Sequence, residues 1–115
     1  MPLRIKGSKN LMDFVPIKNH RYHSHTTEDG KAQIYIPRNS YIDRLVRKFK
    51  ETPEYFRVDL DHFGSFTWHQ IDGEKNIYEI GNALKEEFGE EIEPVYIRTG
   101  QFINLLRNNK LVTFK

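Results

Sequence analysis

The chain has no cysteine, which excludes disulfide staples and thiolate chemistry. It also lacks any run approaching the ~20 apolar residues that a membrane span needs. Its N-terminal stretch MPLRIKGSKNLMDFVP carries scattered charges where a signal peptide would be apolar. A soluble, cytoplasmic protein without membrane contact is therefore expected. There is no GxGxxG, no phosphate-binding loop, no internal repeat and no low-complexity tract. Nothing points to a bound cofactor. At 115 residues the chain fits one domain, able to bury roughly 65% of its unfolded surface without staples. The net charge of +2 is unevenly spread: residues 1–53 hold eleven Lys/Arg against five Asp/Glu, and residues 54–115 hold seven against eleven. The front half can attract an acidic partner that the back half repels.

The most informative stretch is Tyr55 to Leu84. Tyr55, Arg57 and Asp59 alternate with Phe56, Val58 and Leu60, the period of two of a half-buried strand. Asp61 then suits an N-cap for a helix through Ile71, which Asp72-Gly73 ends. Asn76 caps a second helix with Glu79 as its capping-box partner, and Gly89 stops it. A third helix is expected from about Ile92 to Asn108, with Pro94 in its first turn. Upstream, Arg21–Thr27 and Lys31–Pro37 flank Glu28-Asp29-Gly30, a hairpin signal. Between hairpin and third strand, the segment 38–53 reads as an inserted basic amphipathic helix. Residues 1–20 read as an N-terminal arm, and residues 110–115 as a short strand or docked tail. The fold class that follows is α+β: a winged helix-turn-helix with a three-stranded antiparallel sheet placed before three helices, spanning residues 21–115.

The last helix carries two apolar stripes. Ile92, Val95, Thr99, Phe102, Ile103 and Leu106 form a core stripe. Ile97 and Leu105 fall on another face, with Gln101 beside them and Arg98 at its edge. That second face is free to meet the sheet, a second subunit in a homodimer, or a ligand. With the third strand as its other wall it would border a groove suited to peptide capture by strand addition, and Arg57, Arg98 and Arg107 would be placed for acidic peptide side chains.

Catalytic chemistry is thinly represented. His20, His23 and His25 lack the cysteine or carboxylate spacings of a zinc site. His62 and His69 have no nucleophile pattern near them, and Asp59 and Asp61 form no evident acid–base pair. Nothing here argues for an enzyme. A winged-helix DNA-binding regulator is the alternative. Glu90, Glu91 and Glu93 ahead of the last helix would face phosphates with the wrong sign, which argues against nucleic acid. A small interaction protein without peptide specificity is the third reading.

The segment DHFGSFTWHQIDGEKNIYEIGNALKEEFG and the later FINLLRNNKLV resemble the PqqD family, small peptide-binding proteins named after the PQQ synthesis protein D. The similarity centres on Leu60, Gly64, Phe66, Trp68, Ile71, Asp72-Gly73, Ile77, Ile80, Phe102, Leu105 and Leu111. It covers residues 55–112 well and the hairpin at 21–37 more loosely. The resemblance implies a RiPP recognition element, a module that binds the leader of a ribosomally made precursor peptide. It implies that the leader adds along the third strand, against the third helix, and is presented to a radical S-adenosylmethionine maturase whose cofactors stay with that partner. Carried over, the peptide-binding residues would be Tyr55, Phe56, Arg57, Val58, Asp59, Leu60, Ile97, Arg98, Gln101 and Leu105. The insertion at 38–53 and the arm depart from the family pattern, so the pathway is PQQ synthesis or another peptide route.

Overall fold

The computed structural model describes residues 10–37 and 55–115, except for the side chains of Pro37, Tyr55 and Phe56. The basic helix expected over 38–53 lies outside the described residues. Among the described residues there are five strands: β1 (Pro16–Lys18), β2 (His23–Thr26), β3 (Ala32–Pro37), β4 (Tyr55–Asp59) and β5 (Val112–Phe114). They form two antiparallel sheets, β2-β3-β4 and β1-β5. Three α-helices follow β4: α1 (His62–Gln70), α2 (Ile77–Phe88) and α3 (Val95–Asn108). The architecture is α+β. Among the described residues no helix is long and apolar enough to cross a membrane.

Local chemistry sets most boundaries. In the β2–β3 hairpin the Thr27 N–H donates to the Lys31 carbonyl and the Gly30 N–H to the Thr27 carbonyl, both at 2.9 Å. Gly30 closes the turn at φ 86°, a left-handed conformation that costs glycine little. Asp61 caps α1 by accepting from the Gly64 N–H at 2.7 Å. Asn76 and Glu79 make the reciprocal capping box of α2, at 2.8 and 2.9 Å, and Gly89 ends that helix at φ 63°.

The start of α3 differs from the expectation. Gly89–Ile92 is a 3-10 turn, Glu93 is extended before a cis Glu93–Pro94 bond, and Pro94 is the N-cap. Proline disfavours the helical conformation in the residue before it, so the helix cannot run through Glu93 and opens at Val95.

Each helix buries a different fraction of its surface. The α2 stripe Ile77, Ile80, Gly81 and Leu84 is buried against α1 and α3. Gly81 is the close-approach point, since a Cβ there would lie 2.8 Å from the Tyr96 ring. The stripe predicted for α3 is the core side: Ile92, Val95, Thr99, Ile103 and Leu106 are buried, and Phe102 is half-buried. Buried Thr67 and Thr99 return their hydroxyls to the carbonyls of Phe63 and Val95, at 2.9 and 2.7 Å, which satisfies them within their own helices.

Part of the segment expected as an arm is woven into the domain. Leu11–Asp13 forms a 3-10 turn packed on α2 and α3. The Phe14 carbonyl accepts from the Ile77 N–H at 3.0 Å, one of the donors that a helix start leaves without an intrahelical partner. Pro16 is buried, and β1 pairs with β5 in the register Pro16↔Phe114. The Phe14 and Phe114 rings stack at 4.9 Å. Lys18 lays its ammonium 4.8 Å from the centroid of buried Trp68, and burial holds its pKa below the ordinary lysine value.

The three-stranded sheet meets the helices mainly where β3 packs on α1. Buried Ser65 makes that junction polar. Its hydroxyl accepts from the Ala32 N–H at 2.7 Å and donates to the Leu60 carbonyl at 3.2 Å. Replacing Ser65 by Ala leaves a buried N–H and a carbonyl short of a partner, with an expected cost of ~1–3 kcal/mol, to be read from urea unfolding.

The α1–α2 turn is held by a charge. Asp72 accepts from the Lys75 and Glu74 N–H groups, each at 2.9 Å, and pairs with the Lys75 ammonium at 3.1 Å. The Lys75 N–H, then the Glu74 N–H, then the Lys75 side chain lower its pKa from 3.8 to about 2. A carboxylate with a lowered folded-state pKa stabilises fully above its unfolded value and loses that contribution as pH falls toward the folded one. Asp72→Asn should therefore be less stable than the parent at neutral pH. The gap should close between about pH 4 and pH 2 in urea midpoints measured across that range.

Candidate functional site

The site begins with the position of β4. The strand order β2-β3-β4 leaves β4 at a border of the sheet, and among the described residues nothing pairs with its outer side. The Leu60 N–H donates to the Ala32 carbonyl at 2.9 Å. Backbone groups alternate in direction along an antiparallel ladder, so Leu60 and Val58 turn their N–H and C=O toward β3. Arg57 and Asp59 turn theirs to the open side. On the side-chain level Val58 and Leu60 are half-buried, whereas Arg57 and Asp59 are exposed on the outer face. Arg57 Nε lies 3.0 Å from Asp59 Oδ1, and Nη2 lies 3.3 Å from Oδ2. Both ends of this pair are solvated, so it contributes little to stability.

Beyond the end of β4 a cavity of about 380 Å³ opens between the strand and α3. Asp59, Leu60 and Asp61 form one wall, and Arg98, Thr99 and Phe102 the other. Phe63, Gly64, Thr67, Leu84 and Ile92 also line it. Its mouth is held by Arg98, whose Nη1 donates to the Glu91 carbonyl at 3.1 Å and whose guanidinium lies 5.3 Å from the Phe63 ring centroid. The Phe63 ring sits edge-on to Phe88, 4.6 Å between centroids. The cavity is thus an aromatic-walled pocket lined by one cation, Arg98, and a strand that is unpaired on its outer side among the described residues leads into it.

The residues expected to bind peptide are distributed over two sides of α3. Asp59, Leu60 and Arg98 meet at the cavity just described. Ile97 and Gln101 line a different, largely apolar recess of about 490 Å³, with Leu11, Met12, Tyr96 and Gly100. Leu105 falls between the two sides on the helix circumference. Ile97 and Leu105 are 60% and 56% exposed, so neither belongs to the core. Arg107 faces away, its guanidinium 5.0 Å from the Phe114 ring centroid on β5. Tyr55 and Phe56 occupy their places in the β3–β4 register, opposite Pro37 and Ile36. Phe63, Phe102 and Ile92 are cavity-lining residues that the sequence presents as core. Apolar periodicity marks them in the same way in either role, and no signal separates the two.

A family model described as coenzyme PQQ synthesis protein D matches residues 41–112, more than half of the chain. No curated protein matches it. No solved structure matches it either.

Because Ile97 and Leu105 are exposed, replacing both with Ser should change folding free energy by no more than about 0.5 kcal/mol at each site. Chemical denaturation of the double variant measures this. A loss of several kcal/mol would assign the pair to the core instead.

Proposed function

The chain belongs to the PqqD family, and on that footing we propose that it is a peptide-binding module. It takes the leader of a ribosomally made precursor peptide as an added strand on β4 and presents it to a modifying enzyme of the radical S-adenosylmethionine type. The reading takes the domain as a winged helix-turn-helix with its strands first. The module itself carries no catalysis, and the clusters and cofactor of the chemistry reside in the partner. The pathway is PQQ synthesis or a related peptide route.

One observation carries this reading: a strand border, unpaired among the described residues, whose outward N–H and C=O groups at Arg57 and Asp59 run into a cavity shared with α3 and walled in part by Phe63 and Phe102. Strand addition needs both parts. Main-chain hydrogen bonds along the border supply affinity, and alternate side chains entering the cavity supply selectivity. Such a border is otherwise an aggregation hazard, so keeping it open asks for a use. Nucleic acid fits poorly, because exposed Glu90, Glu91 and Glu93 precede α3 and phosphate affinity rests on neutralising charge.

The test is a titration of the labelled chain with a synthetic leader from a precursor peptide encoded beside it. Amide signals of Arg57–Leu60 and of α3 should shift together. Arg57→Pro removes an N–H that faces away from β3, a position where a border strand tolerates proline. The variant should fold cooperatively yet bind the leader at least about tenfold more weakly, the cost of a lost hydrogen bond of about 1.4 kcal/mol. Undiminished binding would rule out pairing at this border. Shifts confined to residues 44–50 on adding duplex DNA would favour a nucleic-acid role.

A further inference from the structure

The three-stranded sheet fixes two rows on its outer face. His23, Tyr35 and Arg57 stand opposite one another across β2, β3 and β4, and His25, Gln33 and Asp59 form the next row. A strand added to β4 lengthens each row by one residue. Directly opposed residues in neighbouring strands lie ~4.5–5.5 Å apart at Cβ, close enough for opposite charges to attract and like charges to repel. The two residues that end these rows, Arg57 and Asp59, are exposed and opposite in sign. The added chain therefore meets a positive position and, two residues along, a negative one.

Direction follows from the ladder. Every pairing in this sheet is antiparallel, and antiparallel pairing is the more stable per residue. An antiparallel chain reaches the position opposite Asp59 two residues before the position opposite Arg57. Its alternate residues, opposite Leu60 and Val58, turn to the other face, where Leu60 lines the cavity with Phe63 and Phe102.

Resting on the strand-addition reading, we infer that this chain selects peptides carrying the pattern apolar–basic–apolar–acidic, read from N to C. The apolar residues stand opposite Leu60 and Val58, and the charges opposite Asp59 and Arg57. The pattern fixes register as well as identity. A slip of one residue would turn the charges inward, and a slip of two would set one charge against its like on β4 and carry the other past the pair. The Arg57–Asp59 pair then becomes part of a four-charge alternating patch.

The probes are two synthetic peptides of identical composition, one with the core Leu-Lys-Leu-Glu and the other with Leu-Glu-Leu-Lys, titrated into the full chain. The first should bind about tenfold more tightly at low salt, with the gap narrowing as salt is added. The double variant Arg57→Glu with Asp59→Arg should invert the order. Equal affinities with shifts at β4 for both peptides would overturn the charge pattern and leave strand addition standing, as would tighter binding of the second peptide to the parent chain. No β4 shift with either peptide would overturn both.

Discussion

The Ser65 hydroxyl stands between the Ala32 N–H and the Leu60 carbonyl, where the β3–β4 ladder gives way to α1. A regular antiparallel pair would close this position with two backbone bonds. Here one is made, from the Leu60 N–H to the Ala32 carbonyl, and the other is relayed through a side chain of the helix. Strand, helix and turn are thereby locked at one buried point. The next residue, Asp61, already caps α1. The border of β4 cannot shift along β3 without breaking this relay, so the position of the open strand relative to the helices is set chemically.

That constraint matters because the helical layer does its own packing elsewhere. The core of α2 and α3 is completed by β5, by the Leu11–Asp13 turn and by the Phe14 carbonyl. The space between β4 and α3 is left to an aromatic floor and to Arg98, which is held in place by the Glu91 carbonyl and the Phe63 ring. The hydrophobic core and the cavity therefore adjoin along one stripe of α3, whose Thr99 and Phe102 belong to the core side and also line the cavity.

What the sequence made legible is what short-range chemistry decides. The Glu28-Asp29-Gly30 turn, the Asp61 cap, the Asn76–Glu79 box and the Gly89 stop each depend on residues within a few positions. The core stripe of α3 follows from its period. The pairing of β1 with β5 is different, since two three-residue strands are too short to show alternation and their partners lie at opposite ends of the sequence. The first turn expected for α3 gave way to the restriction that Pro94 imposes on Glu93. At the site, periodicity groups Ile97, Gln101 and Leu105 near Arg98. What divides them is the Leu11–Asp13 turn packing on α3, together with β4 across the cavity on another side. That division depends on tertiary packing, which no local pattern of α3 encodes. Phe63 and Phe102 illustrate the same limit, because an apolar side chain that lines a cavity and one that fills a core obey the same pattern.

The chain has a single tryptophan, and Lys18 of β1 rests over its indole. The indole is shut away from solvent, so its emission colour and quenching depend on whether the small β1–β5 sheet stays docked. The border strand contributes no second indole to confuse the signal. Detachment of the N-terminal segment would thus register in this one indole, and the molecule carries its own built-in fluorophore for watching that end of itself.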